Sequence, residues 1–401
     1  MSSSGNDLAR RLVLMLGGDV MTGRGIDQVL MHPAAPALYE AYVRDARDYV
    51  DLATRANGAI PRPVAPDYLW GDALAEMNRM APDLRIVNLE TAITTASDHW
   101  PGKGIHYRMH PANIACLSVA RLDACVVANN HVLDWGRAGL AETLQTLRET
   151  GIQTAGAGAH GDEAWAPARL PMPGGKGHVL LFACAAASSG VPAGWAAGLG
   201  HSGVALLPDV SRATASQLAR DVARWRSRGD VVIFSIHWGG NWGLAVPAAH
   251  RAFAHELVDL GAADVVHGHS SHHPMPVEVY RNKLILYGCG DLINDYEGIG
   301  THAGLRSDLG CLYGVSLNAA TGALERLDVS VFRMKRFRLG TADAADHQWL
   351  GQVFQSASPD LGPQPRLQAG GQWSLSGAEV PVRRGTGNAA SRTRPRRRSL
   401  P

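Results

Sequence analysis

The sequence is poor in charged residues and has no long apolar run. Asp, Glu, Lys and Arg make up 18% of its 401 residues, and the formal net charge is +2. A strongly basic surface, which nucleic-acid-binding domains usually carry, is therefore not expected. No apolar run approaches the roughly 18 residues that a transmembrane helix needs, so we expect no membrane span. The 46% of hydrophobic residues instead predicts a sizeable buried core.

The sequence also lacks the cysteine spacing of a disulfide framework or a zinc knuckle. Its five cysteines are odd in number, scattered and free of any C-x-x-C pair. The apolar stretch 12–16 follows two arginines, but it is too short for the hydrophobic region and cleavage site of a signal peptide. We interpret this stretch as a first strand and expect a protein of the reducing cytoplasm.

Short apolar runs alternate with helical patterns over residues 12–315. This alternation predicts an α/β protein with layered architecture. Strands are expected at 12–16, 84–88, 123–128, 178–185, 231–236, 264–267 and 284–288. Helices are expected at 138–150 and 248–260, each followed by a glycine that would end it.

These elements predict a single domain over residues 12–358, with an antiparallel pair of strands in 313–340 at its end. Residues 1–11 are expected to form a flexible lead. Residues 359–401 are rich in Pro, Gly and Ser and then in Arg, and such a low-complexity basic tail is expected to be disordered. The tail is either a solvated end or a patch that binds anions or nucleic acid.

Polar residues stand where several of the predicted strands end. These runs are Gly18-Asp19, Asn88-Leu89-Glu90, Asn129-Asn130-His131, His237-Trp238-Gly239, and His267-Gly268-His269 with His272 and His273 beyond it. A single Asp or His at a strand end is more often a cap or a satisfied polar residue. Packing gives no reason for such residues at strand after strand, and open α/β sheets bind their ligands at the carboxyl ends of strands. Together the runs predict a metal site with nitrogen and oxygen ligands.

The residue types in these runs suit a division between metal ligands and a proton-transfer group. The candidate metal ligands are Asp19, Glu90, Asn130, His237, His269 and His272. Their carboxylates would neutralise and bridge cations, the amide would add a neutral oxygen, and the imidazoles would add nitrogen. Two cations about 3.5–4 Å apart lower the pKa of a bridging water molecule. His131 would act beside them as the catalytic proton donor to a leaving oxygen.

Three further residues are candidates for substrate binding. Arg24 either brings a guanidinium to an anionic substrate or lies in a loop after the first strand. Asn129 either faces the substrate or holds the backbone next to the site. Asp291 either adds a carboxylate near the site or caps a helix. In addition, Trp238 and Trp242 either wall a pocket or belong to the core.

The order of these runs resembles the CapA family, the poly-γ-glutamate capsule biosynthesis proteins, whose fold is similar to that of calcineurin-like metallophosphoesterases. The resemblance covers roughly residues 12–310. The motifs that carry it are Gly18-Asp19-Val20-Met21, Asn88-Leu89-Glu90, Ala128-Asn129-Asn130-His131 with Asp134-Trp135-Gly136, His237-Trp238-Gly239, and Gly268-His269 with His272 and Val277-Glu278. It implies a layered, metallophosphoesterase-like β-sandwich flanked by helices.

The resemblance also implies residue roles. Asp19 would be the ligand from the first strand, and Glu90 would take the place of a bridging aspartate. Asn130 would be a ligand and His131 the catalytic imidazole. The remaining ligands would be His237 and one or both of His269 and His272.

Among the departures of the sequence from the family patterns, two concern histidine ligands. Met21 stands where phosphoesterases usually carry a histidine, which removes a ligand from one metal. Ser270-Ser271 interrupt the His-His-Pro-His run that is common in CapA proteins.

The sequence therefore predicts a CapA-like, divalent-metal-dependent hydrolase that acts on an anionic small molecule or polymer through metal-activated water. Mn²⁺, Fe²⁺ or Zn²⁺ is the expected cofactor, with one or two ions per chain. Two alternatives stay open: a non-catalytic subunit of a poly-γ-glutamate synthesis complex, and a general metallophosphoesterase. Capsule-synthesis proteins are the expected partners.

Overall fold

The computed structural model describes residues 11–175, 177–300 and 304–377. The strands of this part are β1 (Arg11–Val20), β2 (Leu84–Leu89), β3 (Ala92–Ile93), β4 (Arg108–Met109), β5 (Ala124–Val126), β6 (Gln153–Ala155), β7 (Ala157–Gly158), β8 (Ala168–Pro171), β9 (His178–Ala186), β10 (Gly203–Val204), β11 (Leu206–Leu207), β12 (Val231–His237), β13 (Val265–His269), β14 (Val277–Tyr280), β15 (Lys283–Leu286), β16 (Asp291–Ile293), β17 (Leu309–Asn318), β18 (Leu324–Lys335), β19 (Arg338–Thr341), β20 (Arg366–Leu367) and β21 (Trp373–Ser376). The α-helices are α1 (Arg47–Asn57), α2 (Ala73–Met80), α3 (Ala115–Ser118), α4 (Gly136–Glu149), α5 (Gly161–Trp165), α6 (Arg212–Trp225), α7 (Ala248–Asp259) and α8 (Ala344–Gln355).

The first large sheet has the strand order β20-β21-β18-β17-β1-β2-β5-β6. Strand β1 runs parallel to β2 and antiparallel to β17, so it lies where the parallel and antiparallel halves of the sheet meet. At its carboxyl end β1 also pairs with the short parallel strand β16, and Asp19 lies opposite Asp291. Two carboxylates are thereby brought to one edge of this sheet.

The second large sheet has the strand order β11-β9-β12-β13-β15-β14. Its central strands β9, β12 and β13 are parallel, and His237 at the end of β12 lies opposite His269 at the end of β13. Because parallel strands end at the same edge, the two imidazoles are neighbours by register.

The two sheets pack face to face, with helices on their outer faces. In β9 alternate side chains point to opposite faces, as the pleat of a strand requires. One set joins the core shared with β1 and β2, namely Val179, Leu181, Ala183 and Ala185. The other set packs with apolar residues of α6 and α7, namely Leu180, Phe182, Cys184 and Ala186. This arrangement confirms the predicted layered α/β architecture.

Each strand predicted over residues 12–288 overlaps an observed strand, and α4 and α7 occupy the two predicted helical segments. The antiparallel pair predicted in 313–340 corresponds to β17 and β18. Strands β20 and β21 lie in the part of the chain that we assigned to the tail, and β21 pairs with β18 while Trp373 and Leu375 are buried. The ordered domain therefore extends past residue 358. Residues 1–10 of the predicted lead and 378–401 of the predicted tail lie outside the described residues.

In the described ranges, no helix combines the length and apolar character that crossing a membrane requires.

Candidate metal centre

The carboxyl ends of strands from both sheets meet in one buried cluster, which we call the acid–histidine cluster. Its members are Asp19, Glu90, Asn130, His237, His269, His272 and Asp291. All of them are buried except Asn130, which is half-buried. The first sheet contributes its carboxylates and the second sheet its histidines, so the site exists only where the two sheets face each other.

Two groups within the acid–histidine cluster have the geometry of a cation site. One group is Asp19, His237 and His269, and the other is Asp19, His272 and Asp291. In each group the potential ligand atoms lie within 4.8 Å of one another. Asp19 belongs to both groups, so its carboxylate is placed to bridge two cations.

Glu90 lies beside these groups without being part of either. Its Oε1 atom is 3.8 Å from Nε2 of His237 and 3.8 Å from Nε2 of His131. The Asn88 amide lies between the two acids and donates to Oδ1 of Asp19 at 2.7 Å and to Oε2 of Glu90 at 3.3 Å. The resemblance implies the bridging position for Glu90, whereas the residue shared by the two groups of potential ligands is Asp19.

His237 and His269 favour the neutral form, which metal ligation requires. Nδ1 of His237 lies 2.8 Å from Nδ1 of His269, and its Nε2 lies 3.0 Å from Oδ1 of Asn130. Burial lowers the pKa of both histidines well below the usual value, and their mutual proximity adds to this for His269. Nε2 of His269 lies 2.9 Å from the hydroxyl of Ser235, which fixes the orientation of the ring.

The pKa values of Asp19 and Glu90 shift in the opposite direction. Burial and then the negative charge of Asp291 raise the pKa of Asp19 to about 7. Burial and the charge of Asp19 raise the pKa of Glu90 well above its usual value. Buried like charges cannot all ionise without a counter-charge. The donor set therefore fits divalent cations, which would supply that charge.

His272 and Asp291 occupy the side of the cluster where Met21 offers no ligand. Burial lowers the pKa of His272, but the charge of Asp291, whose Oδ1 atom lies 2.9 Å from Nδ1, raises it above the usual value. Met21 points its sulfur towards the hydroxyl of Tyr296 at 3.7 Å. Asp291 begins a strand and not a helix, so of the two interpretations left open the extra carboxylate is the one that the structure favours.

His131 lies at the edge of the cluster and is oriented by Asp134. Its Nδ1 atom is 2.7 Å from Oδ2 of Asp134, and its Nε2 atom faces Glu90. Burial and the charge of Lys103 lower the pKa of His131 to about 4. At neutral pH the ring is thus uncharged, and it must take up a proton before it can donate one to a leaving oxygen.

Asn129 holds the loop that carries His131. Its Oδ1 atom accepts the main-chain N–H groups of His131 and Val132, both at 3.1 Å. Its Nδ2 atom donates to Oδ1 of Asn88 at 3.0 Å and to the carbonyl of Leu89 at 2.8 Å. Because both ends of the amide are engaged in this way, we assign Asn129 a backbone-holding role in place of a substrate contact.

Arg24 is likewise occupied by other residues. Its guanidinium donates to both carboxylate oxygens of Asp295, at 2.8 and 2.6 Å, and to Oε1 of Glu40 at 3.0 Å. The ring of Tyr49 covers one face, 3.6 Å from the guanidinium carbon. We therefore assign Arg24 a structural role in place of the predicted substrate contact.

The two tryptophans differ in their surroundings. Trp238 stacks on His250 and donates its indole N–H to the carbonyl of Tyr287, which makes it part of the core of the second sheet. The ring of Trp242 lies 5.3 Å from that of His272, beside the cluster. Trp242 is thus the one of the pair that walls the site.

Lys103 is a site residue that the sequence did not reveal. Its Nζ atom lies 2.6 Å from Oδ1 of Asp134 and 3.0 Å from Nδ1 of His131. It belongs to the loop Pro101-Gly102-Lys103-Gly104, which has no periodicity to suggest burial. The one signal in the sequence that could have drawn attention to Lys103 is the scarcity of lysine, since the chain contains only four.

Fold and cluster together define a layered α/β protein with a buried acid–histidine centre at the strand ends. The model of the family described as bacterial capsule synthesis protein PGA_cap matches residues 13–296. A probable polyglutamine synthesis accessory protein of Mycobacterium tuberculosis is 46% identical over 352 residues, which cover 88% of this chain and 92% of that protein. The chain therefore belongs to the PGA_cap family, as its resemblance to the CapA proteins predicted.

One more distant relative agrees with this family assignment, and one solved structure is too dissimilar to bear on it. The PGA biosynthesis protein CapA of Bacillus subtilis is 24% identical over 279 residues, covering 69% of this chain and 62% of that protein. A solved structure of a phosphatase from Mycoplasma pneumoniae has a TM-score of 0.45 and 11% identity, covering 86% of this chain and 98% of that chain. A likeness of that size carries no argument about activity.

Proposed function

We propose that this protein is a divalent-metal-dependent hydrolase that acts on an anionic substrate. The observation that carries the proposal is the shared position of Asp19 in two groups of potential ligands. The raised pKa values of Asp19 and Glu90 support it, because burial and neighbouring negative charge oppose the ionisation of these carboxylates and a bound cation would relieve both effects.

The residues of the chain suit this chemistry. Asp19, His237 and His269 would hold one ion, and Asp19, His272 and Asp291 would hold the other. Oxygen and imidazole ligands without thiolate suit Mn²⁺, Fe²⁺ or Zn²⁺. When bound, such ions supply an activated water molecule as the nucleophile and stabilise the charge of an anionic substrate.

His131 would transfer the proton. Its Nε2 atom faces the cluster, 3.8 Å from Oε1 of Glu90, while Asp134 holds the opposite ring nitrogen. A neutral imidazole in this orientation can accept a proton at Nε2 and pass it to a leaving oxygen.

The metal content of freshly purified protein tests the proposal. Two ions per chain are expected by mass spectrometry of the elements, and Asp19→Asn should lose both because it removes the shared ligand. Asp27→Asn is the matched control: this buried carboxylate binds the main-chain N–H groups of Ala34 and His110 outside the cluster, and its variant should keep both ions. An unchanged metal ratio in Asp19→Asn would refute the proposed centre.

Activity can be assayed with a chromogenic phosphodiester and Mn²⁺. Turnover that falls by about 100-fold or more in His131→Gln would support the hydrolase and extend it to a general phosphoesterase. Turnover that is equal in the two proteins would remove His131 from the proposed reaction.

A second candidate is a non-catalytic subunit of a poly-γ-glutamate synthesis complex. Two relatives support it, since one is described as a probable polyglutamine synthesis accessory protein and another as a PGA biosynthesis protein. Co-purification with ligase and exporter subunits, combined with an absence of turnover by the protein alone, would favour this candidate. For either function we propose the cytoplasm as the compartment, because all five cysteines are buried and unpaired.

A further inference from the structure

The side chains of Lys103, Asp134 and His131 contact one another pairwise and form a triangle. The ammonium lies 2.6 Å from Oδ1 of Asp134, and Oδ2 of the same carboxylate lies 2.7 Å from Nδ1 of His131. The third side, from Nζ of Lys103 to Nδ1 of His131, measures 3.0 Å. Lys103 also donates to the carbonyl of Ile105 at 2.8 Å, so its head group is held in place.

The Nδ1 atom of His131 can serve only one of its two neighbours. It either carries a proton and donates to Asp134, or presents a lone pair and accepts from Lys103. A distance of 2.7 Å between Nδ1 and a carboxylate oxygen requires a proton between them, because two lone pairs would repel at that distance. The ammonium 2.6 Å from Oδ1 favours the ionised form of Asp134, which leaves that proton on Nδ1. Lys103 then makes its short contact with the carboxylate and no hydrogen bond to the ring.

Asp134 depends on Lys103 for its charge. Its carboxylate is fully buried, and besides His131 it accepts only the main-chain N–H of Tyr107, at 2.7 Å, among the contacts in the described part of the chain. Lys103 is its neighbouring cation. Without that charge the buried carboxyl group would favour its neutral form. A neutral Asp134, with a proton taken up from solvent, would keep that proton on its carboxyl oxygen and donate it in a hydrogen bond to Nδ1. The single proton of the neutral ring would then be carried by Nε2.

We infer that Lys103 is a positioning residue that keeps Asp134 ionised and thereby fixes His131 in the tautomer with its proton on Nδ1 and its lone pair on Nε2. The inference rests on the proposed function, in which Nε2 faces the reacting groups. The Ser-His-Asp triad offers an analogy. Changing its aspartate to asparagine puts the histidine in the wrong tautomer and lowers kcat by about 10⁴-fold.

The tautomer of His131 can be read directly by long-range proton–nitrogen NMR of the histidine side chains, with His131→Gln assigning the signal. In the unsubstituted protein Nδ1 should carry the proton. In Lys103→Met the tautomer protonated on Nε2 should become the major form. With a chromogenic phosphodiester, kcat should fall about 100-fold while KM stays within about threefold, because Lys103 orients the proton-transfer group and does not bind substrate. Lys103→Arg should restore the tautomer and most of kcat.

Lys283→Met is the matched control. Lys283 is also a partly buried lysine paired with a buried aspartate, Asp264 at 2.5 Å, but it lies outside the triangle. Its variant should keep both the tautomer and kcat. If Lys103→Met does not fold, Lys103→Gln replaces it, because it too removes the charge and should shift the tautomer in the same direction.

An unchanged tautomer in a folded Lys103→Met or Lys103→Gln variant would overturn the inference, whatever the activity. A shifted tautomer would support it even if the unsubstituted protein showed no turnover. In that case the proposed function would fail and the inference about Lys103 would stand, so the two failures are distinguishable.

Discussion

Asp291 and His272 form a hydrogen-bonded pair, with Nδ1 of the histidine 2.9 Å from Oδ1 of the carboxylate. Asp291 lies opposite Asp19 in the register of β16 and β1, so the pair stands beside the carboxylate shared by both groups of potential ligands. Met21, at the position where phosphoesterases usually have a histidine, contributes no such ligand. The pair therefore places two potential ligands on the side where Met21 offers none.

Asp291→Asn should reduce the metal content from two ions per chain to one. The change weakens the group of Asp19, His272 and Asp291 while the group with His237 stays intact. His237→Gln should likewise leave one ion, on the other side. Elemental analysis of both variants checks the prediction. Loss of both ions in each variant would mean that the two sites cannot be occupied independently.

Arg24→Ala should destabilise the fold by about 3–5 kcal/mol, because it leaves Asp295 and Glu40 buried without their cation. Urea unfolding measures the loss. Arg47→Ala removes a comparable contact to Asp45 at the surface, where solvent screens the pair, and should leave the unfolding free energy close to that of the unsubstituted protein. A stable Arg24→Ala variant with a strongly raised KM would instead assign Arg24 to substrate binding.

Gly18→Ala should disturb the cluster through the backbone. A Cβ atom on Gly18 would lie 1.8 Å from the carbonyl oxygen of Gly290, which accepts the N–H of Asp19. We expect a loss of about 1–3 kcal/mol in unfolding free energy together with a lower metal content. Gly104→Ala is the control, because a side chain there meets nothing within 4 Å. A folded Gly18→Ala protein with two bound ions would contradict the prediction.

Glu278 should contribute to stability in a pH-dependent way. Burial raises its pKa, but the contacts with His255, Arg251 and the hydroxyl of Tyr287 lower it below the usual value. A carboxyl group of this kind stabilises the fold above its unfolded-state pKa of about 4.3, and the contribution is lost as the pH falls through the lower, folded-state pKa. Glu278→Gln removes the contribution.

Thermal unfolding as a function of pH measures this effect. Between about pH 5 and pH 3 the Tm of the unsubstituted protein should fall more steeply than that of Glu278→Gln. Glu149→Gln, at an exposed position, should follow the unsubstituted protein. Parallel curves for all three proteins would show that Glu278 is not responsible for acid sensitivity.

The strand-end residues could be predicted because the pattern that reveals them is local. Asp19 and His237 each close an apolar run, and the period of a strand places the end of such a run at the edge of a sheet. Membership of the PGA_cap family followed from the order of these runs. Neither step needed knowledge of which residues contact each other across the fold.

Roles that depend on distant partners could not be predicted in this way. Arg24 was a plausible substrate contact until Asp295, 271 residues further along the chain, was found to bind it. Lys103 reaches Asp134 from an aperiodic loop. Strands β20 and β21 are short and lie in a stretch with the composition of a tail. Their place in the sheet depends on a distant strand, because β21 pairs with the long strand β18 and β20 pairs with β21.

Each group of potential ligands takes residues from both sides of the sandwich. Asp19 ends β1 in the first sheet, whereas His237 and His269 end β12 and β13 in the second. Neither sheet alone holds a complete group of potential ligands, so tight uptake of the proposed ions during refolding should follow the docking of the two sheets. Bound ions would then link the first sheet to the second. Removing them with a chelator should make the two sheets easier to separate and the chain easier to cleave by proteases.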